Sequence, residues 1–363
     1  METKVFSPCF FLGANTANGF YPLTKELLRQ GDDIRLYLIK GGPGTGKSTL
    51  MKAVCHRAQQ EEIEFERIYC SSDPDSLDGV YLPSLHAAVL DATPPHPFEL
   101  KFPGIRGRLV DMGQCWNTDL LGKNAGEILR LTRANSEAHG ACQRFLSAAG
   151  RLQSERMQLA LPDTDLLRVI RHAKRICARV LPERETKSVV TRRFLSACTP
   201  KGEVFFYETL CGLCEQIVAV EDDIGAVSAA FMQTVLHEAV DRGLSVIACP
   251  CILRPDGIPE HILIPELKLG FVTSNAYHIA PDAAEKTVSA SRFTDAQAAK
   301  AHKNRFSFYR KAQAELLDGA IEKLEQAKAL HDRLEAHYIA AMDFGKTEKI
   351  KLDLLEELFE NAE

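Results

Sequence analysis

Residues 41–48 read Gly41-Gly42-Pro43-Gly44-Thr45-Gly46-Lys47-Ser48: a glycine, four free positions, a second glycine, a lysine and a hydroxyl. Glycines let the backbone come close to an anion, lysine brings a point charge to its terminal oxygens, and a serine hydroxyl suits a magnesium ion bridging them. That chemistry is phosphate binding, and the run has the form of a P-loop. Its setting agrees, because Ile34 to Ile39 is apolar on both faces, as in a parallel strand covered by helices, and Thr49 to Val54 opens a helix. Helix N-termini favour anions through unpaired N–H groups and the helix dipole. The expected nucleotide contacts are therefore Gly41, Gly42, Pro43, Gly44, Thr45, Gly46, Lys47, Ser48 and Thr49, with Lys47 also acting on the terminal phosphates during catalysis.

A magnesium-dependent site needs a carboxylate at the end of a neighbouring strand. The apolar run His86-Ala87-Ala88-Val89-Leu90 ends in Asp91, which assigns Asp91 and Ser48 to the metal. The alternative is an aspartate that caps the turn Ala92-Thr93-Pro94-Pro95. No glutamate follows Asp91, so the group that orients an attacking water must lie elsewhere. Asp73, Asp75 and Asp78 follow a second strand ending near Cys70, and carboxyl ends of strands line the ligand crevice in such sheets. Asp73 and Asp78 are the catalytic candidates, against the alternative of an acidic Asx-type turn. His96, Arg106 and Arg108 come later and serve either phosphate or packing. Lys40 lacks the spacing of a signature lysine, and no Asn-Lys-x-Asp or Thr-Lys-x-Asp segment reads guanine, so the expected ligands are ATP and Mg2+.

The elements that hold these residues occur twice. Phe11-Leu12-Gly13-Ala14-Asn15-Thr16-Ala17-Asn18-Gly19 matches Phe194-Leu195-Ser196-Ala197-Cys198-Thr199-Pro200-Lys201-Gly202 at five of nine positions. Tyr81 to Leu85 matches Leu263 to Leu267, and His96 matches His278, so the period is roughly 180 residues. The turns at Thr16 to Gly19 and Thr199 to Gly202 read as structural. Aligned without gaps, the glycine-rich loop falls on Glu221 to Ser228: Gly46 becomes Ala226, Lys47 becomes Val227, and the serine persists as Ser228. Thr273 stands at the Asp91 position. Three acidic residues, Glu221, Asp222 and Asp223, would repel phosphates there, so the second copy should bind no nucleotide.

Each copy ends in helical periodicity. Phe145, Ala149 and Leu152, then Leu166, Ile170, Ala173, Cys177 and Val180 after Pro162, form one stripe; Leu317, Ile321, Leu324, Ala327, Leu334, Tyr338 and Ala341, then Ile350, Leu354 and Leu358 after Gly345, form the other. The expected architecture is α/β: two tandem P-loop NTPase-like domains with parallel sheets, each carrying a helical hairpin. Their bounds are residues 1–188, with a hairpin over about 118–185, and residues 189–363, with a hairpin over about 296–360. The hairpins are packing surfaces, for a helical subdomain, copy-on-copy contact or a protein partner.

A net charge of −5 argues against wholesale nucleic-acid binding, although Arg151 to Arg193 is basic and Asp343 to Glu363 acidic. No apolar run reaches membrane-spanning length and the N-terminus lacks a signal-peptide pattern, so a cytoplasmic protein with no membrane partner is expected. Its eleven cysteines should then be reduced, and Cys211-Gly212-Leu213-Cys214 has no second pair with which to make a zinc site.

The segment Tyr37 to Leu50, the block Ser71 to Gly79 and the opening Phe11 to Thr16 together resemble a family of bacterial tandem P-loop proteins labelled as ATPases. The resemblance covers nearly the whole chain and implies ATP binding at Gly41 to Ser48; the lost second lysine departs from a two-site mechanism. The leading expectation is slow or partner-stimulated ATP hydrolysis in the first copy, with the second as regulator, scaffold or donor of a finger residue such as Arg254. The alternatives are a small-molecule kinase and an ATP-gated binding module without turnover.

Overall fold

The computed structural model describes residues 5–30, 34–95, 98–100, 103–281 and 284–360. His96 lies outside them. The first repeat runs β1 (Cys9–Phe10), β2 (Gly13–Thr16), β3 (Gly19–Pro22), β4 (Arg35–Lys40), α1 (Lys47–Gln60), β5 (Glu66–Tyr69), β6 (Leu77–Leu82), β7 (Ala87–Asp91), β8 (Gly107–Asp111), α2 (Thr118–Lys123), α3 (Ala125–Ala160) and α4 (Leu166–Val180). The second runs β9 (Val190–Arg192), β10 (Ser196–Thr199), β11 (Gly202–Phe205), α5 (Tyr207–Leu213), β12 (Gln216–Glu221), α6 (Ala226–Asp241), β13 (Val246–Cys249), β14 (His261–Ile264), β15 (Leu269–Ser274), β16 (Lys286–Ser289), α7 (Ala296–Ala301), α8 (Lys303–Ala340) and α9 (Phe344–Glu360).

Two six-stranded sheets have one topology. The first has the order β8-β4-β7-β6-β5-β1 and the second β16-β12-β15-β14-β13-β9. In each, the middle strand β6 or β14 is antiparallel to both neighbours while the remaining pairings are parallel. The fold is thus α/β, but with mixed sheets where parallel ones were expected. The reason is local: β6 follows β5 through a short turn, too short for the helical crossover that a parallel neighbour requires.

Alternation along the central strands explains why they are apolar on both faces. Leu36 and Leu38 enter one core, Tyr37 and Ile39 another. In the second lobe Val218 and Val220 face α6, while Ile217 and Ala219 face α5. Each sheet is therefore a middle layer, and each buried aliphatic contributes roughly 1.5–3 kcal/mol.

A local twofold relates the repeats. The equivalent residues Phe11 and Phe194 exchange both backbone hydrogen bonds, at 2.9 and 3.0 Å. Away from this point, Trp116 bridges Met342 while Thr164 bridges Thr294, again as symmetry mates. Side chains N-cap the helices that leave these bridges: Asn117 accepts from Leu120 N, Asp165 from Arg168 N and Asp295 from Gln297 N.

The helices at the ends of the repeats are exchanged, which opens out the expected hairpins. Helices α3 and α8 run antiparallel along each other, with Arg333 on Glu127, Asn135 on Ala327 and Arg156 on Gln313. Helix α4, from the first repeat, buries Val169, Ala173, Ile176 and Cys177 beside α6 of the second lobe. Helix α9, from the second repeat, buries Leu354 and Leu358 with Leu50, Met51 and Val54 of α1. The link between the long helix and the last one is short in both repeats, and each last helix finds its apolar partner on the opposite lobe. Each lobe is consequently completed by a helix of the other repeat. Among the described residues no helix is long and apolar enough to cross a membrane.

Candidate functional site

At the carboxyl end of β4, residues 41–46 connect the strand to α1, and Gly46 caps that helix with φ 86°. This left-handed turn is open to glycine at little cost and aims the first helical N–H groups at the loop. Lys47 Nζ donates to the carbonyls of Gly41 and Gly42, both at 2.8 Å, and lies 3.6 Å from Asp91 Oδ2. Thr45 Oγ1 closes the loop on Gly42 O at 2.9 Å. Ser48 Oγ accepts from Leu77 N at 3.1 Å. Pro43 through Thr49 border a cavity of about 410 Å³, together with Asp73, Asp78 and Asp91. Gly41 and Gly42 stand behind it: a Cβ on Gly41 would meet Met112 Cβ at 2.9 Å, and one on Gly42 would meet Tyr338 and Trp116.

Asp91 ends β7 opposite Ile39. Its two oxygens are engaged differently: Oδ1 accepts from Thr93 N at 2.8 Å and from the Thr93 hydroxyl, as the turn-capping reading expects, while Oδ2 faces Lys47. Burial raises its pKa, against the pull of Lys47 and the Thr93 hydrogen bonds, and the charge of Asp78 raises it further. Asp78 therefore lies close enough to act electrostatically on Asp91.

The remaining carboxylates divide. Asp73 caps its own turn, accepting from Ser76 Oγ at 2.9 Å, and pairs with Lys328 of α8 at 3.7 Å. Asp75 is mostly exposed and bound to Lys201 Nζ at 2.6 Å, away from the cavity, which corrects the expectation that it faces the phosphates. Lys40 Nζ donates to Ala92 O at 2.5 Å and ties β4 to the end of β7. Arg108 pairs with Glu357 of α9 at 2.8 Å, in a packing role. Arg254 lines a second-lobe cavity with Asp222 and Asp223, so it is no finger for the first lobe.

The far wall comes from the long helices. His139 of α3 and Lys328, His331, Glu335 and Ile339 of α8 border the cavity, as does Phe344 of α9. At Gly44, φ +67°, an added Cβ would lie 2.7 Å from Ile339 Cγ1 and 3.0 Å from Glu335 O, so the loop is pressed against α8. Burial, and then His331, lowers the pKa of His139. Sequence periodicity marks these helices as packing surfaces, for the chain itself or for a protein partner. Their polar residues carried no sign of which lobe they would face, since that is set by the helix exchange.

The second lobe builds its loop differently. Residues 222–225 separate β12 from α6, and Gly225, φ 94°, caps the helix as Gly46 does. The second loop is thus shorter by two residues, and the structural equivalents are Gly46 with Gly225, Lys47 with Ala226 and Ser48 with Val227. Ser228 takes the place of Thr49, which corrects the gap-free alignment. Asp222 turns into the loop: Oδ1 accepts from Ile224 N at 3.0 Å and Gly225 N at 2.9 Å, and Oδ2 from Ser228 N at 2.8 Å. The donors at this helix start are satisfied by the chain's own carboxylate. Arg156 of α3, 4 % exposed, donates to Asp223 O at 2.7 Å and seals the loop. Only about 50 Å³ remains beside it. Thr273 lies opposite Val220 as Asp91 lies opposite Ile39. All cysteines are free thiols, and Cys211 is exposed while Cys214 is buried.

Comparison with known proteins returned no matching family model, no matching curated protein and no matching solved structure. The reading of the site rests on its geometry.

Proposed function

We propose that the first lobe binds Mg-ATP on the P-loop formed by Gly41 to Ser48 and hydrolyses it slowly, or faster when a partner engages the α3–α8 pair. The observation that carries this reading is Lys47, held over the loop carbonyls 3.6 Å from the strand-end carboxylate Asp91 at the mouth of a cavity of about 410 Å³. In this assignment Lys47 neutralises the terminal phosphates, Ser48 and Asp91 hold magnesium, and Asp78 orients water. Asp73, which accepts from Ser76 and pairs with Lys328, is the other candidate for that last role.

Isothermal titration of the full chain with ATP and magnesium tests the premise, and phosphate release measures turnover. Lys47→Ala should weaken ATP binding about 100-fold, on the order of the 1.5–3 kcal/mol of a charge-assisted hydrogen bond. Equal affinity in the variant would overturn the reading. A second reading, an ATP-gated module without turnover, draws on the close approach of Gly44 to Glu335 and Ile339 of α8. Tight binding with no phosphate release, alone or with a metabolite pool, would favour it; release only with the pool would favour a kinase.

A further inference from the structure

The second lobe has lost the lysine and fills its own loop, yet a different polar cluster lies at the same end of its sheet. Glu260, His261 and His278 present ligand atoms that all lie within 4.8 Å of one another. His261 is 1 % exposed, and neither of its ring nitrogens has a hydrogen-bond partner among the described residues. A neutral imidazole carries one N–H and one lone pair, and burying both without partners is unfavourable. The ring instead lies tilted beside His278, with centroids 5.2 Å apart, and nearly perpendicular to Phe205.

We propose that Glu260, His261 and His278 form a binding site for a divalent transition metal, zinc by preference. Two imidazoles and one carboxylate are a ligand set that tetrahedral zinc accepts, leaving a fourth position for water. With bonds of about 2.0–2.2 Å, neighbouring ligand atoms sit roughly 3.4 Å apart. His278 Nδ1 and Glu260 Oε1 are already 3.6 Å apart. On the other side of the ring, His278 Nε2 lies 2.8 Å from Glu203 Oε1. A carboxylate this close to the outer nitrogen favours a proton there, which would leave Nδ1 for a metal. Glu260 and His278 also border a cavity of about 160 Å³ with Glu203, Tyr277 and Asp318, which gives water or a small ligand access to the fourth position.

Register shows that this cluster belongs to the second lobe alone. His261 pairs with Val272 as Gly79 pairs with Leu90, one residue before the Thr273 and Asp91 positions. Glu260 accordingly occupies the place of Asp78, and His261 the place of a glycine. The acid has been kept, and His261 adds an imidazole where the first lobe has a glycine.

Metal content after equilibration of the full chain with Zn2+ and desalting tests the site. The expected result is one zinc per chain, lost in His261→Ala and in His278→Gln and retained in His331→Ala, which alters the half-buried group His331, Asp332 and Glu335. Co2+ alone, added to the unmodified chain, should give the visible d–d bands of a tetrahedral nitrogen–oxygen site, a readout that needs no variant to fold. Absence of those bands, or zinc retained in both histidine variants, would overturn the proposal. Lys47→Ala should bind zinc as the unmodified chain does, which separates this site from the nucleotide reading.

Discussion

The two strand-to-helix loops are the same device built in two ways. Both leave a parallel strand, both reach a helix through a left-handed glycine, and both present backbone donors at that helix start. The first keeps its loop long, its side chains small and a lysine over its carbonyls, next to a large cavity. The second shortens the loop and folds Asp222 into it. A helix N-terminus favours an anion, and either a ligand or the chain itself can supply it. An internal carboxylate supplies it permanently, so the second loop is structural. Arg156 of α3 seals it, whereas α8 walls the first loop without filling it.

The largest effect expected from breaking this contrast is at Lys47. Lys47→Ala should lower ATP affinity about 100-fold in calorimetry. Asp78→Asn should then cut phosphate release by about 100-fold with ATP affinity within a few-fold, as removal of a water-orienting base does. Asp222→Ala should do the reverse of Lys47→Ala. It removes three backbone hydrogen bonds from a buried carboxylate, so chemical denaturation should show a loss of about 2–4 kcal/mol with ATP affinity unchanged. Leu354→Ala tests the exchange of helices: it lies in the second repeat, yet it should destabilise the first lobe by about 2–5 kcal/mol, and hydrogen exchange should report the loss in α1.

The smallest effect concerns Asp91. Burial holds its carboxyl above the ordinary aspartate range, so the folded chain keeps that proton more tightly than the unfolded chain. Stability is therefore fully present at acid pH and is partly lost as pH rises through the folded pKa. Asp91→Asn abolishes that loss. Without nucleotide, the variant should melt at or slightly above the unmodified chain near pH 7, the gap closing on acidification, while magnesium-dependent stabilisation by ATP disappears. A variant that melts well below the unmodified chain at neutral pH would mean that Lys47 and Thr93 outweigh burial at this carboxylate.

Much of this contrast is legible in the sequence because it depends on neighbours in the chain. Strand β4, the loop and α1 follow one another directly, and apolar runs and glycines give their order. The assignment of Asp91 to a strand end likewise needed only a short apolar run ending in an acid. The repeat was visible in matched residues near Phe11 and Phe194, which the structure places against each other at the twofold. The loop alignment failed because the true equivalence needs a two-residue gap at the least similar point, and a gap-free match instead aligned Ser48 with Ser228. Asp222 was read as repulsive for the same reason: three adjacent charges suggest exclusion of an anion, and only the backbone path shows one of them acting as the anion.

By itself, then, the sequence determined the α/β alternation, the duplication, the glycine-rich loop and its strand-end aspartate, since local periodicity and backbone chemistry set all of these. Tertiary structure decided which lobe each terminal helix completes, which polar residues wall the cavity, and that Glu260, His261 and His278 meet. An apolar stripe specifies that a helix must be covered but not by what, and long-range register follows from competition among all such faces for burial.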